Sequence, residues 1–334
     1  MRQRYHQAIL FSIIFAFLIM SWLGCRNSGG KQADSTEENV QIIRAKEGFH
    51  VFRKDLDGNI SSQWLLSDSL SEHATIEEIE ELATTNDDPI MRLIAFRALL
   101  SKDPHEAVNL AISHIEDTTE VHTVSGMCGE VIQVSNMRIR MLQSDEYHVS
   151  KEDLARIAST VLFFANNSKY FYSLELYQSL PAKPEYENRL RQLYKHDHRA
   201  LVALAKYNRE KDKHEIIRLF SQAGNKDFWY YSDTLSTAFY AVAEWPDAAF
   251  KPIIQRECKK LFEQDSKGCD GAAFCTLIAY HSPWSYDIAE KALAKAKEND
   301  KDFYLVCRIF HYEYEHNPQP LFKPLIEKYP LALK

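Results

Sequence analysis

Several sets of side chains in this sequence have types and spacings that chemistry could use. His311 and Glu315 stand one helical turn apart in "HYEYEH", with His316 beside them, and imidazole plus carboxylate on one helix face could hold a metal. The same residues on a solvated face need no ligand. "HEIIR" has His214 and Glu215, but Arg218 stands where the second histidine of a zinc motif belongs. His196 and His198 flank Asp197 in "YKHDHRA", a pattern that reads as a surface loop. Asp55, Asp57 and Asn59 suggest calcium, yet Gly58 comes too early for an EF-hand loop and residue 64 is Trp rather than the closing glutamate. No nucleophile elbow, phosphate-binding loop, dinucleotide glycine motif or H-E-x-x-H occurs. The sequence therefore assigns no catalytic residue, no metal and no cofactor.

The richer feature is aromatic. "FWYYSD" supplies Trp229, Tyr230 and Tyr231, while Trp245, Trp284, Tyr286, Tyr304, Tyr312 and Tyr314 fall at helix ends and beside breaks. Tyr and Trp join an apolar ring to a polar tip, which suits a binding surface; the same rings can fill gaps between stacked helices. Apart from Cys25 the cysteines are Cys128, Cys258, Cys269, Cys275 and Cys307, an odd number, so at least one stays free or pairs with another molecule. "CKKLFEQDSKGCDGAAFC" brings three of them close in sequence, as a disulfide or as small buried side chains. No C-x-x-C occurs, which argues against a zinc knuckle.

Composition narrows the frame that positions these residues. The chain has 334 residues, enough for one large domain, two, or a repeat array, and only 10 glycines and 11 prolines, too few for a turn-rich all-β fold. Lys and Arg number 40 against 47 Asp and Glu. Removing residues 1–25, which carry Arg2 and Arg4 and no acid, deepens the net charge from −7 to about −9. Such a surface repels phosphate backbones, so nucleic acid is not an expected partner.

The N-terminus carries a second kind of signal. "MRQRYHQ" is basic and "AILFSIIFAFLIMSWL" is an apolar run of 16 residues. As a helix that run spans about 24 Å, short of the roughly 30 Å hydrocarbon core, and reads as a signal peptide rather than a permanent span. Its ending, Trp22-Leu23-Gly24-Cys25, resembles the bacterial lipoprotein signal, with Gly24 and Cys25 at the matching positions. The resemblance implies cleavage before Cys25, a diacylglycerol thioether on its sulfur and an acylated amine. Several acyl chains make a stable anchor. Residues 25–45 are polar, with no apolar period, and read as a tether.

Residues 46–74 read as a small β-hairpin, two extended runs around Asp57-Gly58. From residue 75 to 334 the period is helical. Thr75 and Glu78 form a capping-box pattern, Asp88-Pro89 opens a second helix that stops near Pro104, and "HEAVNLAISHI" makes a third. The alternation of Val131, Val134, Met137, Ile139 and Met141 suggests a strand pair or irregular insertion. Ser150 then caps a helix with Leu154, Ile157, Ala158, Val161, Leu162 and Ala165 on one stripe. Further on, three aromatic-led helices broken by proline begin at Phe239, Phe274 and Phe310, separated by 35 and 36 residues, and a step back of 35 reaches Leu204. Such an interval is what stacked helical hairpins produce. "DPIMRLIA" at 88–95 resembles the HEAT repeat through Asp88, Met91, Arg92 and Ala95, whereas the opening pattern of tetratricopeptide repeats is missing.

The fold expected is thus mainly α: a HEAT-like α-solenoid of stacked hairpins with a small N-terminal β-hairpin. The function expected is a lipid-anchored scaffold of the bacterial envelope, held to the membrane through Cys25, with another envelope protein as partner. A periplasmic or cell-surface hydrolase and a purely structural lipoprotein are the alternatives.

Overall fold

The structure, a computed structural model, describes residues 48–54, 58–124, 129–164, 173–223, 228–263, 270–298 and 303–331. Cys25, residues 1–47, Asp55, Asp57, Cys128, Cys269 and the side chains of Trp229, Tyr230 and Tyr231 lie outside the described residues. One compact unit of the chain runs from Phe49 to Lys334. It is mainly helical, with one small three-stranded sheet. Among the described residues no helix is long and apolar enough to cross a membrane.

The sheet joins distant pieces of chain. β1 (Phe49–His50) pairs in parallel with β2 (Glu120–Val124), and β2 pairs antiparallel with β3 (Val131–Gln133). Val121 and Thr123 point inward while Glu120, His122 and Val124 face out, the alternation a one-sided sheet requires. Gly129 makes the close return possible, because a Cβ there would lie 2.7 Å from the Thr123 carbonyl oxygen. The hairpin expected over 46–74 is reduced to one antiparallel bridge, Lys54 with Ile60, across Gly58 at φ +83°. Its second arm is helix: Ser61 caps α1 (Ser62–His73), which buries Trp64 and Ser67 one turn apart and leaves Leu65 and Leu66 exposed.

The next three helices fall where their caps predict. Thr75 and Glu78 complete a capping box on α2 (Ile76–Thr85). Asp88 caps α3 (Pro89–Lys102), and Asp103 both ends α3 and caps α4 (Pro104–Ser113). Every residue of α3 from Leu93 to Leu100 is buried, including Arg97, because α1, α2, α4 and β2 all pack on it. α5 (Val134–Leu142) also packs there. Here the alternation expected over 131–141 holds only as far as Gln133. α5 is buried nearly all round, so its apolar residues satisfy a strand period and a helix period alike.

From residue 151 the helices alternate between two rows. α6 (Lys151–Phe163), α8 (Pro184–Tyr194), α10 (Glu210–Ala223), α12 (Lys251–Glu263) and α14 (Pro283–Glu298) form one row. α7 (Leu174–Ser179), α9 (Ala200–Ala205), α11 (Phe228–Glu244), α13 (Asp270–Tyr280) and α15 (Phe303–His316) form the other, each packed on the next. Leu204, Phe239, Phe274 and Phe310 are fully buried in that second row, Phe274 meeting Phe310 edge-on at 5.2 Å. The breaks between rows repeat as well. Asn208 and His281 take positive φ after α9 and α13. The Tyr207 and Tyr280 hydroxyls, each just before such a turn or within it, both donate to a backbone carbonyl, of Lys183 and Asp247, at 2.6 Å. Pro252 and Pro324 stand at the second position of α12 and of α16 (Lys323–Lys328), where a missing N–H costs nothing. Phe250 and Phe322, from the echoing segments "AAFKPII" and "PLFKPLI", are both fully buried.

Polar contacts tie the first row together. Arg191 on α8 reaches Asp212 on α10 at 2.9 Å and Glu187 at 2.7 Å, and Arg209 adds a 3.0 Å contact to Glu187. Hydrogen bonds from Arg209 and Arg191 hold the Glu187 carboxyl below the usual range. A depressed folded-state pKa contributes stability above the unfolded value, about 4.3, and that contribution disappears as pH falls through the folded value. Glu187→Gln is therefore expected to lower stability at pH 7 and to flatten the acid limb of a stability–pH curve below about pH 4. Phe274→Ala should cost roughly 3–5 kcal/mol in denaturant unfolding, and Tyr304→Ala, at 50% exposure, less than about 0.5 kcal/mol.

Candidate functional site

The aromatic residues singled out in the sequence divide into two groups. Trp245 meets Phe250 edge-on at 5.9 Å under the Lys213 ammonium, 4.9 Å from its ring centre. Trp284 meets Tyr280 at 4.8 Å under the Lys251 ammonium at 5.5 Å. Tyr286 lies 6.0 Å from Phe322, and Tyr314 packs half-buried against the core. These four rings close seams between successive helices. Tyr312 is different: it is 40% exposed on α15, its ring 4.2 Å from His316, near the exposed Tyr304 and Leu305.

The titratable clusters are occupied by structural bonds. The His311 ring bonds the Tyr329 carbonyl at 2.8 Å and His316 bonds the Tyr312 carbonyl at 2.8 Å, so each ring fastens backbone. Asp197 accepts from Arg199 at 2.8 Å and from the Tyr177 hydroxyl at 3.1 Å, while His198 lies 3.1 Å from Asp233. Ser150, His105 and Asp153 meet, but both the hydroxyl and the imidazole bond the carboxylate, at 3.0 Å each, instead of each other. That arrangement caps α6 and does not activate a nucleophile. Burial opposes the Asp153 charge, and the bonds from His105, Arg156 and Ser150 outweigh it to hold the carboxyl low. Cys258, Cys275 and Cys307 are free thiols, all pushed up by burial and hence poor nucleophiles. Among the described residues no group of three His, Cys, Asp or Glu side chains is placed to hold a metal ion.

Several buried groups among the described residues make fewer hydrogen bonds than they could, Arg138 Nε and Nη1 and Arg97 Nε and Nη1 among them, and at Arg97 this demand borders a cleft. The cleft, of about 290 Å³, opens between the segment after β1, α1, α3, α5 and the short 3-10 turn Asp145–Tyr147. Arg97, 2% exposed, lies at its wall. Its guanidinium is sandwiched between Phe49 at 4.3 Å and Trp64 at 4.0 Å, and its Nη2 donates to the His50 carbonyl at 2.6 Å. Its Nε and Nη1, and the buried Trp64 Nε1, make no hydrogen bond of ordinary geometry; the one acceptor that acts on the guanidinium from the cleft wall is the Tyr147 hydroxyl, a neutral group. These nitrogens are all donors. Arg53 lies 5.4 Å from the Trp64 ring centre and pairs with Asp68 at 2.6 Å, and Arg140 pairs with Glu130. Thus the two exposed arginines of the cleft have carboxylates of their own, whereas the buried one has none.

Burial lowers the Arg97 pKa to about 10, only partly offset by Tyr147, Glu146 and Asp68, and raises Tyr147 to about 12. The group still carries its charge at neutral pH. Arg138 is also buried and lowered to about 10, chiefly by desolvation, but Asp117 stands 3.7 Å away and also holds Arg92 at 2.8 Å. That Arg92–Asp117 bridge links α3 to the turn after α4, at the arginine the HEAT pattern marks. The cleft escaped the sequence reading because five separate segments build it. The available signal was an arginine inside an otherwise apolar run, "LIAFRALL".

Two substitutions separate the buried charges. Removing a buried partner strands its mate at a cost of about 3–5 kcal/mol, whereas replacing an unpaired buried charge with an apolar residue of similar size is neutral or stabilising. Asp117→Asn should destabilise by that amount. Arg97→Met should leave the unfolding free energy unchanged or raise it. Urea unfolding of both variants checks this, and a large loss in Arg97→Met would mean that its charge stabilises the fold.

Comparison with protein-family models, with curated proteins and with solved structures found no match for this chain.

Proposed function

We propose that this chain is a lipid-anchored binding protein of the bacterial envelope, its helical part an α-solenoid of HEAT type that serves as a scaffold for another protein. The observation that carries the reading is the succession α7, α9, α11, α13 and α15, in which each helix packs on the next and Leu204, Phe239, Phe274 and Phe310 are fully buried. Stacks of this kind bury a continuous core while leaving long faces for partners. Arg92, at the position the "DPIMRLIA" pattern marks, is held by Asp117 at 2.8 Å. Tyr304, Leu305 and Tyr312 leave α15 with an apolar, aromatic exposed face, the composition that interfaces favour. Gly24-Cys25 after the apolar run supports the anchor, and the polar stretch to residue 45 gives it reach.

Labelled palmitate should enter the wild-type chain in bacterial cells and be lost from Cys25→Ser, which should also leave the membrane fraction. Retention of the label in Cys25→Ser would refute the anchor. For the scaffold, a photoreactive residue at Tyr304 should crosslink one discrete envelope protein in intact cells, and Tyr312→Ala should reduce the yield without lowering the melting temperature. No adduct above background would refute this face as the contact.

A further inference from the structure

We propose that the cleft at Arg97 binds a carboxylate carried on a short apolar body, received by the buried guanidinium. The inference goes beyond the scaffold reading and depends on neither the lipid anchor nor the helix stack.

The first argument is hydrogen bonding. Arg97 Nε, Arg97 Nη1 and Trp64 Nε1 are buried donors that make no hydrogen bond of ordinary geometry, every one of them lies on a residue that lines the cleft, and the neutral Tyr147 hydroxyl is the one acceptor acting on the guanidinium there. Buried polar groups are nearly always satisfied, so the missing partner is an acceptor. A bond from a charged donor to a charged acceptor is roughly twice as strong as one between neutral groups, which favours an anion over a carbonyl.

The second argument counts charge. Arg53 and Arg140 are committed to Asp68 and Glu130, so Arg97 is the cleft arginine with no ion-pair partner, and the exposed Glu146 at the cleft wall is a negative charge that an incoming anion would meet. A doubly charged phosphate would face Glu146 and Asp68, both close enough to act on Arg97. A singly charged carboxylate meets the demand with less repulsion.

The third argument is shape. Beyond the polar wall the cleft is lined by Val51, Phe52, Met137 and Met141, with Phe52 57% exposed at its edge. Methionine adapts to varied apolar shapes. A volume of about 290 Å³ is at the small end for ligand pockets, matching a body of a few carbons, either a free short-chain acid or the last residue of a peptide.

Calorimetric titration of the full-length chain at pH 7 tests this with hexanoate, hexanamide, inorganic phosphate, and acetyl-Gly-Leu as free acid and as amide. At least one acid should bind, with its amide and phosphate weaker by roughly tenfold or more. Hexanoate alone binding identifies a free acid as the source; acetyl-Gly-Leu acid binding tighter identifies a peptide terminus. Arg97→Met should abolish the binding with the circular dichroism spectrum unchanged. Glu146→Gln, an exposed change that spares the fold, should tighten it several-fold. Equal binding of acid and amide, preference for phosphate, binding that survives Arg97→Met, no effect of Glu146→Gln, or no heat from any acid would each overturn the proposal.

Discussion

A guanidinium in the interior must be paid for somewhere, and Arg97 sits within Leu93–Leu100 of α3, a stretch in which every residue is buried. α3 is covered by helices and a strand, so a side chain at position 97 has no route to solvent except along the cleft. Burial of an ion costs several kcal/mol even after relaxation, and one carbonyl bond with two aromatic faces offsets only part of that. The surroundings are built around this charge. Phe49 and Trp64 flatten against it, His50 turns its carbonyl to it, and Tyr147 closes the far side. The short sheet brings β1 across from β2, so it also fixes where Phe49 and His50 stand.

A different constraint governs the chain after residue 151. There Leu204, Phe239, Phe274 and Phe310 are buried where α9 packs on α11, α11 on α13 and α13 on α15. The recurring seam contacts show how the step is kept. Lys213 over Trp245 and Lys251 over Trp284 place a cation on an indole at successive seams, and the bonds of Tyr207 and Tyr280 to backbone carbonyls fasten the turns. Rings that look like contact residues in the sequence are in these cases used for packing, while the uncovered aromatic face belongs to α15.

Much of the helical frame is legible in the sequence because its signals are local. Thr75 with Glu78, Asp88 with Pro89, and Ser150 each satisfy orphan backbone N–H groups within one turn. The spacing of Phe239, Phe274 and Phe310 is likewise visible, and all three are buried. What cannot be read locally is partnership across distance. The partner of β1 lies some seventy residues away, α1 carries apolar neighbours that imitate a strand, and α5 is apolar on nearly every side. The cleft combines all of these, so Arg97 appears in the sequence only as a charged residue out of place.

The most direct test of the claim that Arg97 awaits an acid from outside is an experimental structure of the chain at neutral pH, soaked with hexanoate. The account predicts a carboxylate oxygen within hydrogen-bond distance of Arg97 Nε or Nη1, with the alkyl chain against Met137 and Met141. An unliganded structure in which Glu146 or a backbone carbonyl of the protein already satisfies both donors would contradict it.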